Sequence, residues 1–570
     1  MTECDLLVIG SGAAGLCAAA TGAVLGLDVV VAERAPVLGG TTAWSGGWMW
    51  LPRNPLAVAA GIAEPREAPR DYLAAVLGNR FDPARIDAFI DTAPAMVSFL
   101  TQHGFLFEAG NKICDIYGDQ PGAGTGGRSL IAAAYDATVL GEKLGLLRLT
   151  KRETSFQGMP IQAGPDLGAF LNATRKPAAF AHVARRLIRH GWEMARHGRA
   201  TTLLNGVALI ARLFELADRH GARWMVSSPA VELIESRGRV MGAVLQTPHG
   251  REMVHARRGV VLATGGVSAN PALRAQLFPH ADNHETLAVP EADGAGLALA
   301  RPLGAGFADD LAANGAWCPV SHVTWSDGAR GIFPHIIERG KPGVIAVRAD
   351  GRRFVNEANG YHDYVRALLA ATPEGEEARS WMICDHAFIR RWGLGVVRPA
   401  PLPLGYWIKS GYLHRAPTIA ALAAQLGIAP QLAQTVADYN RGAREGRDDH
   451  FGRGWSPYNR YQGDPERSPN PNVAPIERGP FYAIEVIPGS FGSFAGLKTD
   501  ADARVLREDG SAIAGLFAAG ADMASIMGGH YPAGGINLGP AMVFGHRAAM
   551  AAAGQEGAAM AAAGQESPAA

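Results

Sequence analysis

The sequence predicts an α/β protein whose parallel sheet is assembled from separated segments and interrupted by a second domain. Three observations predict this class. The N-terminal run of about 30 residues has the strand, turn, helix and strand pattern of one βαβ unit. Two further strand-like runs lead into glycine-containing turns, at 260–266 and 515–522. Between about residues 298 and 484 the amino-acid composition changes, and Trp, Tyr, His and Pro become frequent.

The composition is that of a globular protein. The chain has 570 residues, 48% hydrophobic and 19% charged, enough for two or more domains. Lys plus Arg equals Asp plus Glu at 53 each, so no basic excess predicts nucleic-acid binding. The five cysteines are scattered, without a C-x-x-C pair or a zinc-like spacing to His. We expect no disulfide scaffold, no metal site and a reducing, cytoplasmic location.

The run from residue 6 to residue 27 has no charged residue, and hydropathy alone would predict a spanning helix or a signal. However, Glu3 and Asp5 precede this run where a signal carries Lys or Arg, and glycines interrupt it. We therefore predict a buried strand followed by a helix.

Residues 10–15 read GSGAAG, the G-x-G-x-x-G pattern, between that strand and that helix. The first glycine permits the turn, the second lets the backbone approach a pyrophosphate, and the third lets helix and strand pack closely. The helix N-terminus offers unpaired N–H groups to the anion. Glu33 ends the second strand, where a carboxylate accepts ribose hydroxyls. Pattern and context together predict a dinucleotide site.

FAD is expected rather than NAD. The run ERAPVLGGTTAWSGG begins at Glu33, and its glycines and hydroxyls supply donors beside further phosphates and a flavin ring. VVLATGG (260–266) and GLFAAGAD (515–522) are the other pieces of a two-segment FAD domain. No His occurs in 33–47, so we expect non-covalent FAD. The predicted cofactor-binding residues are Gly10, Ser11, Gly12, Ala13, Ala14, Gly15, Glu33, Arg34, Gly40, Thr41, Thr42, Ser45, Gly46, Gly47, Val231, Ala263, Thr264, Gly265, Asp293, Gly520, Ala521, Asp522, Gly535, Asn537 and Leu538.

The predicted fold is therefore α/β, a segmented Rossmann-like FAD-binding domain with an inserted α+β catalytic domain. The expected boundaries are 1–297 for the first part of the FAD-binding domain, 298–484 for the catalytic domain and 485–547 for the return segment. The sequence AAMAAAGQE occurs twice in 548–570, which we expect to be a low-complexity, Ala-rich tail, helical or frayed.

These pieces resemble the fumarate reductase/succinate dehydrogenase flavoprotein superfamily and, within it, the 3-ketosteroid Δ1-dehydrogenases. The resemblance covers nearly the whole chain: GGTTAWSGG, ATGG, GRRFVNEANGYHDYV (351–365), GPFYAIEVIPGSFGSFAGLKTD (479–500) and ASIMGGHYPAGGINLGPAMVFG (524–545). The last three are specific to this branch. Fumarate-type reductases hold a dicarboxylate with arginines. Residues 528–540 contain no Arg or Lys, which favours a neutral carbonyl over an anion at this loop.

The resemblance implies that tyrosines carry the chemistry. Tyr531 and the amide of Gly535 would form an oxyanion hole for a ketone oxygen. Tyr361, four positions after the Glu of RFVNE, would accept the α-proton. A free phenol has a pKa of about 10 and needs a second phenol or a positive environment to act as a base. Tyr117, in DIYGDQ, is the expected helper, and a one-residue slip in this assignment stays open.

Neighbouring residues have other expected roles. Tyr364 is a rival base, because it lies three residues beyond Tyr361 and close to the same helical face. His362 is expected to be surface or structural. Three residues are expected to organise this segment, with a proton relay as the alternative for the last: Arg353, Asn356 and Glu357.

The implied reaction places a 1,2-double bond next to the ketone of a 3-ketosteroid, with the α-proton passing to Tyr361 and a hydride to flavin N5. Electrons would leave to a quinone or another acceptor. The alternatives are a desaturase of smaller cyclohexanone-type ketones, a fumarate-reductase-like ene-reductase and a non-catalytic FAD-binding subunit. Segment 404–417 would line a substrate entrance, make a peripheral membrane contact or form a solvated loop. Monomer and homo-oligomer both stay open.

Overall fold

The computed structural model describes residues 2–555. Strand Thr2–Ile9 leads into helix Ala13–Val24 and strand Val29–Ala32, and the two strands pair in parallel. The strand and helix predicted in place of a spanning segment are therefore confirmed. Within the described residues, no helix has both the length and the apolar character needed to cross a membrane.

The main sheet collects strands from distant parts of the chain. Across the sheet the order is Arg223–Met225, Val29–Ala32, Thr2–Ile9, Gly250–Leu262, Arg239–Thr247, Ala512–Ala518 and Arg504–Leu506. Strand Ala230–Ser236 pairs with Arg239–Thr247 beside this path. The end of Gly250–Leu262 pairs in parallel with both Thr2–Ile9 and Ala512–Ala518. The return of the chain to this sheet near its C-terminus is therefore as predicted.

The parallel strands of this mixed sheet are buried on both faces, as is usual for parallel strands covered by helices. Leu6 and Val8 belong to one hydrophobic core, and Leu7 and Ile9 to another on the opposite face. The helices before residue 301 and at the C-terminal end are Ala13–Val24, Pro55–Ala59, Glu67–Leu77, Pro83–Gln102, Pro165–Asn172, Pro177–His197, Asn205–Arg219, Pro271–Leu277, Ala295–Ala300 and Leu538–Ala552. The last helix includes the start of the predicted tail, whereas residues 556–570 lie outside the described part.

The region predicted as the inserted domain contains an antiparallel sheet. Its strands, in order, are Val344–Val347, Ser380–Cys384, Phe481–Val486 and His414–Ala416. The helices of this region are Tyr361–Ala371, His386–Trp392, Gly405–Lys409, Ile419–Leu426, Gln431–Ala443 and Pro457–Gln462. Two further hydrophobic cores pack against the two faces of this sheet. The successive strand residues Met382 and Ile383 point to opposite faces and belong to different cores. The predicted fold class is confirmed.

Short strands complete the structure. Gly489–Ser493 pairs with Glu285–Thr286 and with Gly315–Trp317, which brings the return segment against the inserted region. The other short strands are Met49–Trp50, Phe107–Ala109, Ser129–Ala132, Tyr135–Asp136, Ser155–Phe156, Met159–Pro160, Thr202–Leu203, Phe307–Ala308, Val320–Thr324, Arg330–Pro334 and Gly496–Leu497.

Candidate active site

A cavity of about 1620 Å³ runs between the main sheet and the inserted region. A single small-molecule site occupies about 300–1,000 Å³, so this cavity has room for a dinucleotide and a second ligand. Its nucleotide half is lined by residues within 9–47, 228–231, 263–301 and 519–521. Its substrate half is lined by Tyr361, Phe491 and Tyr531, and by residues within 333–341, 392–402 and 458–465.

The first glycine turn has no room for a side chain. Gly10 has a φ of +104°, and a Cβ there would lie 2.2 Å from the Ala263 carbonyl oxygen. A Cβ on Gly15 would lie 2.0 Å from the Gly10 oxygen, so Gly15 packs the helix on the strand and does not line the cavity. The helix N-terminus at Gly12 and Ala13 borders the cavity, with the Ala13 N–H donated to Thr42 Oγ1 at 3.0 Å.

Glu33 is buried at the end of the second strand and lines the cavity. Its Oε2 accepts hydrogen bonds from the Ser11 N–H at 3.1 Å and the Ser11 hydroxyl at 2.6 Å. Its Oε1 accepts one from the Ala35 N–H at 2.9 Å. The carboxylate is therefore held in a fixed position. Beside it, Arg34 forms an ion pair with Asp293 at 2.7 Å, and both residues line the cavity.

Asp522 was predicted to bind the cofactor, but it does not line the cavity. Its carboxylate accepts hydrogen bonds from the Thr264 hydroxyl and the Gly266 N–H, both at 2.9 Å, so it holds the turn that does. The remaining predicted cofactor residues line the cavity: Gly10, Ser11, Gly12, Ala13, Ala14, Glu33, Arg34, Gly40, Thr41, Thr42, Ser45, Gly46, Gly47, Val231, Ala263, Thr264, Gly265, Asp293, Gly520, Ala521, Gly535, Asn537 and Leu538.

The glycine-rich return loop leads into helix Leu538–Ala552 at the cavity wall. Gly535 has a φ of +97°, and a Cβ there would lie 2.7 Å from the Trp50 nitrogen. Among the described residues, none accepts a hydrogen bond from the Gly535 N–H, which leaves this donor available to a ligand. The Asn537 amide nitrogen donates to the Tyr531 hydroxyl oxygen at 3.3 Å.

Tyr361 and Tyr531 meet in the substrate half. Tyr361 starts helix Tyr361–Ala371, and its ring centroid lies 4.9 Å from that of Tyr531 at an interplanar angle of 76°. Phe491 packs on Tyr361 at 5.4 Å and 82°. Burial, with a smaller contribution from Tyr531, raises the pKa of Tyr361 well above its ordinary value. Burial also raises the pKa of Tyr531. Both side chains are therefore neutral phenols at neutral pH.

The structure does not bring Tyr117 to this pair. Its hydroxyl donates to the Asp363 carboxylate at 2.8 Å, and it does not line the cavity. Tyr458, at the start of helix Pro457–Gln462, lines the substrate half and is close enough to contribute to the raised pKa of Tyr361. Burial raises the pKa of Tyr458 to about 12. The third phenol near Tyr361 and Tyr531 is therefore Tyr458. Sequence analysis missed it, because no recognised motif includes its segment.

Tyr364 is not placed to be a rival base. Its hydroxyl hydrogen bonds with Ser380 Oγ at 2.9 Å in the core of the inserted region, and it does not line the cavity. His362 is structural rather than surface, because it is fully buried and its Nδ1 accepts the Trp317 N–H at 3.1 Å. Tyr364 is thus held in the core of the inserted region, whereas the His362 ring packs against Tyr531 at a centroid distance of 5.6 Å.

Glu357 organises its segment. Its carboxylate accepts hydrogen bonds from Arg353 Nε and Nη2 at 2.8 and 2.7 Å, and from Arg453 Nη1 at 3.1 Å. Asn356 donates to Asn459 Oδ1 at 2.9 Å. These partners keep Glu357 within the protein and out of the cavity lining, which disfavours the relay alternative.

Segment 404–417 is partly folded. It contains helix Gly405–Lys409, and its Trp407 packs edge-on against Trp325 at 5.6 Å. Pro403 to Pro417 do not line the cavity, although Leu402 does. The substrate-entrance role is therefore not supported for this segment, and membrane contact stays a prediction.

The glycine turns and two helix N-termini at the nucleotide half suit a bound pyrophosphate, since both present N–H groups to an anion. Turn, carboxylate and return helix together define a dinucleotide-binding protein of the two-segment kind. The chain belongs to the family described as FAD binding domain, which matches residues 5–538.

Similar proteins cover almost the whole chain. It is 40% identical over 552 residues, 96% of this chain and 93% of the other, to 4-oxocyclohex-2-ene-1-carboxylate 5-dehydrogenase of Sinomonas cyclohexanicum. It is 34% identical over 573 residues, 97% and 99% of the two chains, to 3-oxosteroid 1-dehydrogenase of Mycobacterium tuberculosis. The structure of 3-ketosteroid delta1-dehydrogenase from Sterolibacterium denitrificans in complex with 1,4-androstadiene-3,17-dione superposes with a TM-score of 0.89 at 31% identity, covering 98% and 100% of the chains.

Proposed function

We propose that this protein is an FAD-dependent dehydrogenase that introduces a double bond next to the carbonyl of a cyclic ketone. The observation that carries this proposal is the convergence of the Tyr361 and Tyr531 phenols and the unpaired Gly535 amide on one cavity. The names of two similar proteins support it, since one acts on an oxocyclohexene carboxylate and the other on a 3-oxosteroid.

Tyr531 and Gly535 would bind the ketone oxygen. Because Asn537 donates to the Tyr531 oxygen, the Tyr531 O–H proton is left to point elsewhere, toward a ligand in the cavity. The Gly535 N–H supplies a second donor. Two donors at this oxygen stabilise the negative charge that develops there as the α-proton leaves, and so make that proton more acidic.

Tyr361 would take the α-proton. Its raised pKa means that the resting side chain carries a proton, which must leave the phenol before it can act as a base. We expect the rate to rise with pH for this reason. Tyr458 would pass that proton onward, a role supported by its position in the same half of the cavity as Tyr361.

The cofactor would supply the oxidation. When bound, FAD would take up the two electrons and the hydrogen that the β-carbon loses as a hydride, while the α-carbon loses a proton, so that the two C–H bonds are replaced by the C=C bond. We propose that the FAD is held non-covalently, because 33–47 contains no His to link it. A quinone or a similar acceptor would then reoxidise it.

The substrate would be a 3-ketosteroid or a smaller cyclohexanone-type ketone. The steroid is supported by the apolar lining of the substrate half, which includes Phe333, Ile336, Leu394 and Val397. The smaller ketone is supported by the 40% identity to an oxocyclohexene carboxylate dehydrogenase.

The test is anaerobic reduction of the purified, FAD-loaded protein with a panel of ketones. We expect cyclic ketones to bleach the oxidised flavin without an added acceptor and to yield the enone. Cyclohexanone against androstenedione separates small from large substrates. If no cyclic ketone bleaches the flavin, while fumarate reoxidises the reduced enzyme, the protein is a reductase and the proposal is wrong.

A further inference from the structure

Two cations in the substrate half have no carboxylate partner. Lys341 and Arg398 both line the cavity and are partly buried. No carboxylate oxygen of the described residues lies within 4.0 Å of either one. Long charged side chains are rarely buried without a counter-charge, because desolvation of an unpaired charge is costly.

Lys341 has spare hydrogen-bonding capacity. Its Nζ donates to the Gly463 carbonyl oxygen at 2.8 Å and lies 5.0 Å from the centroid of the Trp392 ring. An ammonium group has three donors, so two remain. Burial lowers the pKa of Lys341 to about 8, with Asp464 acting in the opposite direction. The side chain is still mainly charged at neutral pH.

Arg398 is similarly placed on another segment. Its Nη2 donates to the Ser155 carbonyl oxygen at 3.0 Å, which leaves most of its five N–H donors unused. The nearby carboxylate of Glu338 also lines the cavity, but it is bonded to His335 Nδ1 at 2.6 Å. Glu338 is therefore committed to another partner.

Other buried cations beside the cavity are paired. Arg148 contacts Glu291 at 3.1 Å, and Lys151 contacts Glu153 at 3.5 Å. Arg212 also has no carboxylate partner among the described residues, but it does not line the cavity, whereas Lys341 and Arg398 do. With a neutral substrate, neither cation would have a directly bonded anion in this largely apolar part of the cavity.

We propose that the substrate is a cyclic ketone that also bears a carboxylate, and that Lys341 and Arg398 supply the positive charge that holds the carboxylate. This inference rests on the proposed function, since it assumes that the cavity takes a ketone. The Arg398 guanidinium suits a carboxylate because its fork can donate two parallel hydrogen bonds. The carboxylate is carried either by the ketone ring itself or by the side chain of a steroid.

The test compares acids with neutral partners on the FAD-loaded protein. The probes are 4-oxocyclohexanecarboxylate and its methyl ester, and a 3-ketosteroid with a side-chain carboxylate and its methyl ester. We expect kcat/KM to favour one of the acids over its ester by roughly 10- to 100-fold, the size of a lost charge-assisted hydrogen bond. Whichever acid shows this preference identifies the source of the carboxylate.

The variants R398Q and K341M should each lower the kcat/KM preference for that acid over its ester by a similar factor, mainly through a higher KM for the acid. R212Q is the matched control, because within the part of the chain that the structure describes Arg212 donates to the carbonyl oxygens of Ala133 and Ala134 and does not line the cavity. It should leave the acid preference unchanged.

Equal kcat/KM for both acids and their esters in the wild-type protein would overturn this inference and leave the proposed function standing. So would variants that weaken acid and ester alike. If no ketone, charged or neutral, reduces the flavin, the proposed function itself fails and the inference fails with it.

Discussion

The two halves of the cavity are built in different ways. The nucleotide half consists mainly of backbone: glycine turns, helix N-termini and one fixed carboxylate, Glu33. The substrate half consists of side chains, with Tyr361, Tyr458, Lys341 and Arg398 arriving from four separate segments. A backbone site needs glycine at fixed spacing and leaves a pattern in the sequence. A site built from side chains needs one suitable residue on each of several segments, and such single residues form no pattern in the sequence.

The largest expected effect is on the backbone half. G10A should abolish FAD binding, because its Cβ would lie 2.2 Å from the Ala263 oxygen and push the turn away from the strand. G26A is the control: Gly26 has a φ of +82°, also strained for alanine, but nothing lies within 4 Å of its Cβ position. Absorbance of purified protein measures bound FAD. FAD retained in G10A, or lost equally in both variants, would contradict this account of the turn.

Next in size is the loss of the Tyr531 hydroxyl. Y531F should keep its FAD and lose roughly 10²–10³ in turnover, the usual effect of removing one oxyanion-hole donor. The measurement is kcat with a ketone found active in the wild-type protein. Because Tyr531 is buried, a melting curve of the FAD-loaded variant must accompany it. A folded, yellow variant with near-normal kcat would remove Tyr531 from the mechanism.

A smaller effect separates the two helper phenols. Y458F should lower kcat by roughly 2- to 10-fold and shift its pH profile, since one hydrogen-bonding group beside the base is lost. Y117F should leave the pH profile unchanged, because the Tyr117 hydroxyl is bonded to Asp363 away from the cavity. The reverse result would restore the sequence-based assignment of Tyr117.

The contrast between Tyr117 and Tyr458 shows how much of the fold and of the candidate site could be predicted from the sequence. The segmented sheet could be predicted from strand patterns and glycine spacing, and motif resemblance could single out Tyr361, Tyr531 and Gly535, which all line the cavity. Tyr458 could not, because its proximity to Tyr361 depends on how helix Pro457–Gln462 packs, which no local pattern encodes.

The same limit applied to other residues. Asp522 in GLFAAGAD was predicted to bind the cofactor, and only its hydrogen bonds to Thr264 and Gly266 reveal that it instead holds a turn of the cavity wall. Lys341 and Arg398 were missed because an isolated cation in sequence gives no sign of whether a carboxylate lies beside it. Pairing is a property of the packed structure.

The smallest expected effect concerns pH. The kcat/KM ratio of an active acid to its ester should fall a few-fold above pH of about 8, because Lys341 then loses its proton and its charge. The Asp464 carboxylate opposes this loss of the Lys341 proton, and the Arg391 guanidinium favours it. Comparing the ratio in the wild-type protein and K341M checks this. A ratio that falls identically in K341M would exclude Lys341 as the titrating group.

The most direct measurement of the central claim is a single anaerobic turnover of Y361F loaded with FAD. We expect the variant to bind FAD and ketone normally. Its flavin should bleach roughly 10²–10⁴-fold more slowly than that of the wild-type protein, because the general base is removed. Bleaching at the wild-type rate would contradict the account, because the α-proton would then leave to some group other than Tyr361.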